Sequence, residues 1–208
     1  MIYAVASRRI FEDLLDSSGE VKSFKLRSLV ASSRKTQAML YGQLEQWRPA
    51  MSLLEGSADA FGAALNEMQA AQKTMIMQSQ LEVLTSLGLQ QNKAFLKDSA
   101  RDTFMNAMSV ARSLQMRFAE DPLMSLTMLE RVLNLQVMTA VTYSEYDADE
   151  RATAIGILQE VANQIQKFRD GGLSQEILGK LEISVRGMLA ELREKARSAR
   201  GEQLNTTN

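Results

Sequence analysis

Apolar residues recur at alternating spacings of three and four along the second half of the chain. Phe104, Ala107, Ala111, Leu114 and Phe118 form one series, Ala154, Leu158, Val161, Ile165 and Phe168 a second, and Leu178, Leu181, Val185, Met188 and Leu192 a third. At about 3.6 residues per turn this spacing lines one side of an α-helix, and its near-heptad rhythm is the seam by which helices pair in coiled coils. Strand-favouring residues are scattered, and no Asn-Gly or Asp-Gly pair separates alternating runs. The pattern predicts an all-α protein, an elongated bundle of about six to seven helices with coiled-coil-like seams. It reads as a single unit over 1–200, with an N-terminal helical subdomain over 1–56 as a variant of that reading, followed by a polar tail at 201–208.

Helix punctuation supports these spans. Asp121 stands ahead of Pro122 as an N-cap before a first-turn proline, and Asp147 with Glu150 resembles a capping box. Gly171-Gly172 predicts a left-handed end to the helix over 150–170; Ser174 then caps the last helix, with Leu173 and Leu178 as a hydrophobic staple. Upstream the pattern predicts a helix over 2–15, a turn at 16–19, and a helix from Val21 to Trp47 stopped by Pro49. Another helix starts at Ser57 and runs to Leu87, where Gly88 breaks or kinks it before a helix from Leu89 to Ala119. Residues 123–143 are apolar on nearly every side and read as a central helix. No internal repeat of fixed period is evident in the sequence.

Composition narrows the chemistry. The 208 residues include no Cys, no His, 2 Pro and 13 Met. Disulfides, thiolate zinc sites, thiol nucleophiles and imidazole bases are therefore excluded. Catalysis would have to rest on carboxylates, Lys, Tyr or Ser; no enzyme activity, cofactor or metal is expected. The formal charge of -1 supplies no global field toward nucleic acid or anionic lipid. A membrane span needs roughly 20 mostly apolar residues, and the apolar run from Val132 to Ser144 is bounded by Arg131 and Glu145. The N-terminal Met1-Ile-Tyr-Ala-Val-Ala precedes Arg8 and Arg9, the reverse of a signal peptide's order. The chain is expected in the cytoplasm at synthesis, with a non-classical export route left open.

Five features carry candidate chemistry. Ser32-Ser33-Arg34-Lys35 matches a Ser-x-x-Lys spacing, but the Ser-Asp-Asn and Lys-Thr-Gly companions of that motif are absent. Between Val21 and Arg48, the cations Lys22, Lys25, Arg27, Arg34, Lys35 and Arg48 stand against Glu45 alone, which gives 6 - 1 = +5. With Trp47 they form a candidate partner-binding stripe for an acidic helix, phosphates or lipid. Asp98 and Asp102, like Glu12 and Asp16, place two carboxylates on one helix face; helical di-metal sites pair such groups with His, which is missing here. Met68, Met75, Met77, Met105, Met108, Met116, Met124, Met128 and Met138 supply an adaptable apolar inventory, suited to core gaps or to partner surfaces. Ser33 and Gln37 interrupt the apolar face of Leu26, Val30, Leu40, Leu44 and Trp47, so this helix is expected to dock outside its own bundle.

The expected function is a non-enzymatic structural or interaction protein that assembles through helix contacts with itself or with a helical protein partner, as a homo-oligomer or larger assembly. The seams Phe104, Leu114, Phe118, Leu158, Ile165, Leu178, Leu181, Val185 and Leu192 are its expected basis. The alternatives are a helical protein that lies on or opens into a membrane surface, and a nucleic-acid-binding regulator that uses Arg27, Arg34 and Lys35.

Overall fold

A computed structural model describes residues 6, 9–10, 12–13, 24–67, 70–143, 147–171 and 175–205. Among these the protein is all-helical, a bundle with seven helices and no strand: α1 (Phe24–Gln43), α2 (Trp47–Glu67), α3 (Ala70–Lys93), α4 (Lys97–Arg117), α5 (Pro122–Val141), α6 (Ala148–Asp170) and α7 (Gln175–Asn205). Two compact units result, Met1–Met128 and Leu129–Asn208.

In the first unit α1 packs on α2, α2 on α3 and α3 on α4, and α1 also touches α3. Ala31, Ala38, Met51, Leu54, Phe61, Ala64, Ile76, Val83 and Leu87 form one core cluster. The small residues let α1 and α2 approach closely enough for the buried Ser57 hydroxyl to donate to the Ala31 carbonyl at 2.7 Å. Gln37 is buried on the same inner face, and its Oε1 accepts no hydrogen bond. Between α3 and α4 the Thr103 hydroxyl donates to Gln91 Oε1 at 2.7 Å, both residues being buried.

These four helices are two α-hairpins in a common register, offset by fifty positions. Ala31/Leu81, Ser33/Val83, Gln37/Leu87, Ala38/Gly88, Ala50/Ala100, Leu54/Phe104, Ser57/Ala107, Phe61/Ala111 and Ala64/Leu114 are buried at equivalent places. The two turns are also equivalent. In the first, Glu45 N–H donates to Gly42 O at 3.2 Å and Gln46 N–H to Tyr41 O at 3.0 Å; in the second, Phe95 N–H donates to Asn92 O at 3.0 Å and Leu96 N–H to Gln91 O at 2.8 Å. This is the Schellman pattern, which needs a left-handed residue after the helix. Glu45 (φ 57) and Phe95 (φ 60) fill that place.

In the second unit, α6 and α7 run antiparallel: Arg169, near the end of α6, reaches both carboxylate oxygens of Glu182, near the start of α7, at 3.0 and 3.1 Å. Further along, Arg193 donates to Gln159. Ala154, Leu158, Val161 and Ile165 face Leu178, Leu181 and Val185 as the buried seam. Residues 129–141 of α5 bury Leu129, Val132, Leu133, Leu135, Val137 and Ala140. The expected caps are in place, for Asp121 accepts from Met124 N–H at 3.0 Å and Asp147 from Asp149 and Glu150 N–H.

Several boundaries differ from the sequence expectation, each for a local physical reason. The helix expected to reach Trp47 ends at Gln43, because the left-handed Glu45 reverses the chain first. Trp47 therefore begins α2, and Pro49 sits in its first turn, where a missing N–H costs nothing. Ser57 caps no helix; it lies mid-helix, its hydroxyl taken by the Ala31 carbonyl. Gly88 does not interrupt α3, since the Phe104 ring fills the space its absent side chain leaves. Gly171 ends α6 at φ -77, right-handed rather than left-handed, its N–H donating to Lys167 O. α7 continues through Asn205 into the stretch expected to be a polar tail. Of the residues expected to form seams, Phe104, Leu114, Leu158, Ile165, Leu178, Leu181 and Val185 are buried, whereas Phe118, beyond the end of α4, and Leu192 are half-buried; Leu189 is buried and its neighbour Met188 half-buried. The turn at 16–19, Gly172, the Leu173 and Ser174 cap, and 206–208 lie outside the described residues, as does most of the helix expected over 2–15.

Candidate functional site

The two Schellman turns lie side by side at one end of the first unit and enclose an open cleft of about 560 Å³. Glu45, Gln46, Trp47, Arg48 and Pro49 line it from the first turn, and Lys93, Ala94 and Phe95 from the second. The shared register of the hairpins creates this juxtaposition: α1 and α3 both end here, and α2 and α4 both begin here. The Lys93 ammonium stands 5.1 Å from the centre of the Trp47 ring, a cation–π contact that ties one turn to the other.

Phe95 is the outlying group of the cleft. The residue is 85% exposed, and its backbone is in the left-handed region. Glycine enters that region freely, whereas a residue with a Cβ pays roughly 1–2 kcal/mol. Leu96 follows as the N-cap of α4, where no side chain accepts a hydrogen bond, and is 47% exposed. Phe95 is thus apolar, strained and solvent-facing at a tight turn, and its ring adds little to the core.

The sequence-predicted residues are scattered relative to this cleft. Trp47 and Arg48 line it. Arg34 does not: it donates to Glu12 at 2.8 and 3.1 Å and to the Gly56 carbonyl at 3.1 Å, joining three segments of its own unit. Lys35 forms an ion pair with Glu82 and is thereby drawn away from the Ser-x-x-Lys role. Arg27 is half-buried on α1, whereas Lys22 and the Lys25 side chain lie outside the described residues. Asp98 pairs with Arg101 at 2.7 Å, Asp102 is exposed, and Asp16 is outside the described residues. No group of three potential metal-ligating residues occurs among the described residues. Met75, Met105 and Met116 are exposed, Met128 is buried, Met77, Met108, Met124 and Met138 are half-buried, and Met68 is outside the described residues. No helix of the described residues is long and apolar enough to cross a membrane.

Lys93 and Phe95 escaped the sequence reading. The available signal was an apolar Phe95-Leu96 pair between the polar runs Gln90-Gln91-Asn92-Lys93 and Lys97-Asp98. No protein-family model matches the chain, and no curated protein is similar to it in sequence.

Proposed function

We propose that the chain is a non-enzymatic interaction protein that binds a protein partner, and that the cleft between the two hairpin turns is the docking point. One observation carries the reading: Phe95 is held outward in a strained backbone conformation at 85% exposure. Exposure of the ring costs the free chain, and burial of the ring against a partner offsets that cost. Aromatic side chains anchored in a pocket dominate the energetics of many interfaces.

The test is an affinity capture with the full chain and with Phe95→Ser in parallel. Partners retained by the native chain and lost from the variant support the reading. Equal retention removes the cleft from it. A strict monomer by light scattering that retains nothing ends the interaction reading.

A further inference from the structure

We infer that the cleft accepts a peptide segment of the partner in which a bulky apolar side chain stands beside a carboxylate. This rests on the protein-binding reading above and adds the chemistry of the bound segment. The floor and walls are apolar, from the indole of Trp47, Pro49, Ala94 and the Phe95 ring, and the volume of about 560 Å³ falls within the range of small-ligand sites. A side chain of leucine or phenylalanine size seated in the cleft takes apolar surface of its lining, Phe95 included, out of water.

Charge decides the neighbouring group. Two cations, Arg48 and Lys93, and one anion, Glu45, line the cleft, giving 2 - 1 = +1 within a chain of net charge -1. Arg48 is exposed and forms no ion pair among the described residues, so its guanidinium is available for a bidentate bond to a carboxylate. Lys93 is held over the indole, which leaves its remaining N–H donors directed away from the ring. A basic segment would meet both cations. Nucleic acid or an anionic membrane needs an extended basic surface, and two cations form no such surface. The stripe that comes nearest to one in sequence has Arg34 paired with Glu12 and Lys35 with Glu82.

Trp47 is the only tryptophan of the chain, so its fluorescence reports on the cleft directly. The experiment selects a random-peptide display library on the full chain, with Phe95→Ala as the counter-selection. Selected peptides are then titrated against Trp47 emission. The expected result is enrichment of Asp or Glu next to Phe, Leu or Trp, and binding that weakens about tenfold on raising salt from about 50 to about 500 mM. Arg48→Glu should weaken binding of the same peptides by at least about tenfold. Enrichment of apolar peptides without acids, bound independently of salt, overturns this inference and leaves protein binding standing. Peptides that bind Phe95→Ala equally well overturn both. Vesicles of mixed phosphatidylserine and phosphatidylcholine are the control: a shift of Trp47 emission by vesicles and not by peptides assigns the cleft to a lipid surface and overturns the inference. Circular dichroism melts of both variants establish that they are folded.

Discussion

Gly88 on α3 lies directly against the ring of Phe104 on α4: a Cβ at Gly88 would stand 2.5 Å from the nearest ring carbon and within 2.9 Å of two more. At the equivalent place in the first hairpin the pair is Ala38 and Leu54, both buried. One hairpin thus uses a small and a medium residue where the other uses none and a large one. The same contact is filled in two ways, as expected when packing rather than residue identity is what the register preserves.

Gly88→Ala should therefore destabilise the first unit by about 1–3 kcal/mol, although alanine is the better helix former, because the fully buried ring cannot move aside. Adding Phe104→Leu reproduces the pair of the first hairpin and should recover much of the loss. Urea unfolding of the two single variants and the double variant measures the coupling. Strict additivity would show that positions 88 and 104 do not compete for one space.

Phe95→Gly should raise stability by up to about 1 kcal/mol, since glycine relieves the left-handed strain at some cost in unfolded-chain entropy. Partner binding should fall at the same time. Thermal melts beside the capture experiment check this opposed pair of effects; a less stable variant with full binding contradicts both halves.

Thr103→Val leaves the buried Gln91 oxygen without its donor. The expected loss is about 1–3 kcal/mol at nearly unchanged volume. Chemical denaturation measures it, and a neutral result would mean that Gln91 finds another donor.

In the second unit, Leu158→Ala should cost about 2–5 kcal/mol. Leu189→Ala should cost more than Met188→Ala, because Leu189 is buried and Met188 only half-buried. The reverse order in denaturation midpoints would restore the heptad register read from the sequence.

Gly156→Ala and Gly187→Ala each place a methyl where no heavy atom of another side chain or helix comes within 4 Å. Each should stabilise its helix by about 0.5–1 kcal/mol through propensity alone. Melting temperatures that fall instead would show that these faces are covered.

Helical content and the apolar series that are largely buried on α4, α6 and α7 were legible because periodicity is a local property. Asp121 and Asp147 were legible as caps for the same reason: the hydroxyl or carboxylate and the N–H groups it satisfies lie within a few residues of one another. Ser57 misled because a serine that caps and a serine that donates across a helix interface look alike in sequence. Gly88 misled because whether a glycine breaks a helix depends on what fills the space beside it. Leu189 displaced Met188 because a straight helix drifts from a strict seven-residue repeat, so a seam read at fixed spacing slips by one position over several turns.

Short-range alternation of apolar and polar residues suffices to specify an all-α chain, and the absence of Cys and His excludes thiol and imidazole chemistry without any coordinates. The duplication of the hairpins was invisible to that reading, since of the nine equivalent buried pairs only Ala50/Ala100 is an identity and pairs such as Phe61/Ala111 exchange size. The cleft was equally invisible. Trp47 and Phe95 are nearly fifty residues apart, and only the packing of α2 on α3 brings their turns together. A left-handed Phe is likewise a conformation that no local preference selects; the two helices it joins impose it, because their packing gains exceed the strain of one residue.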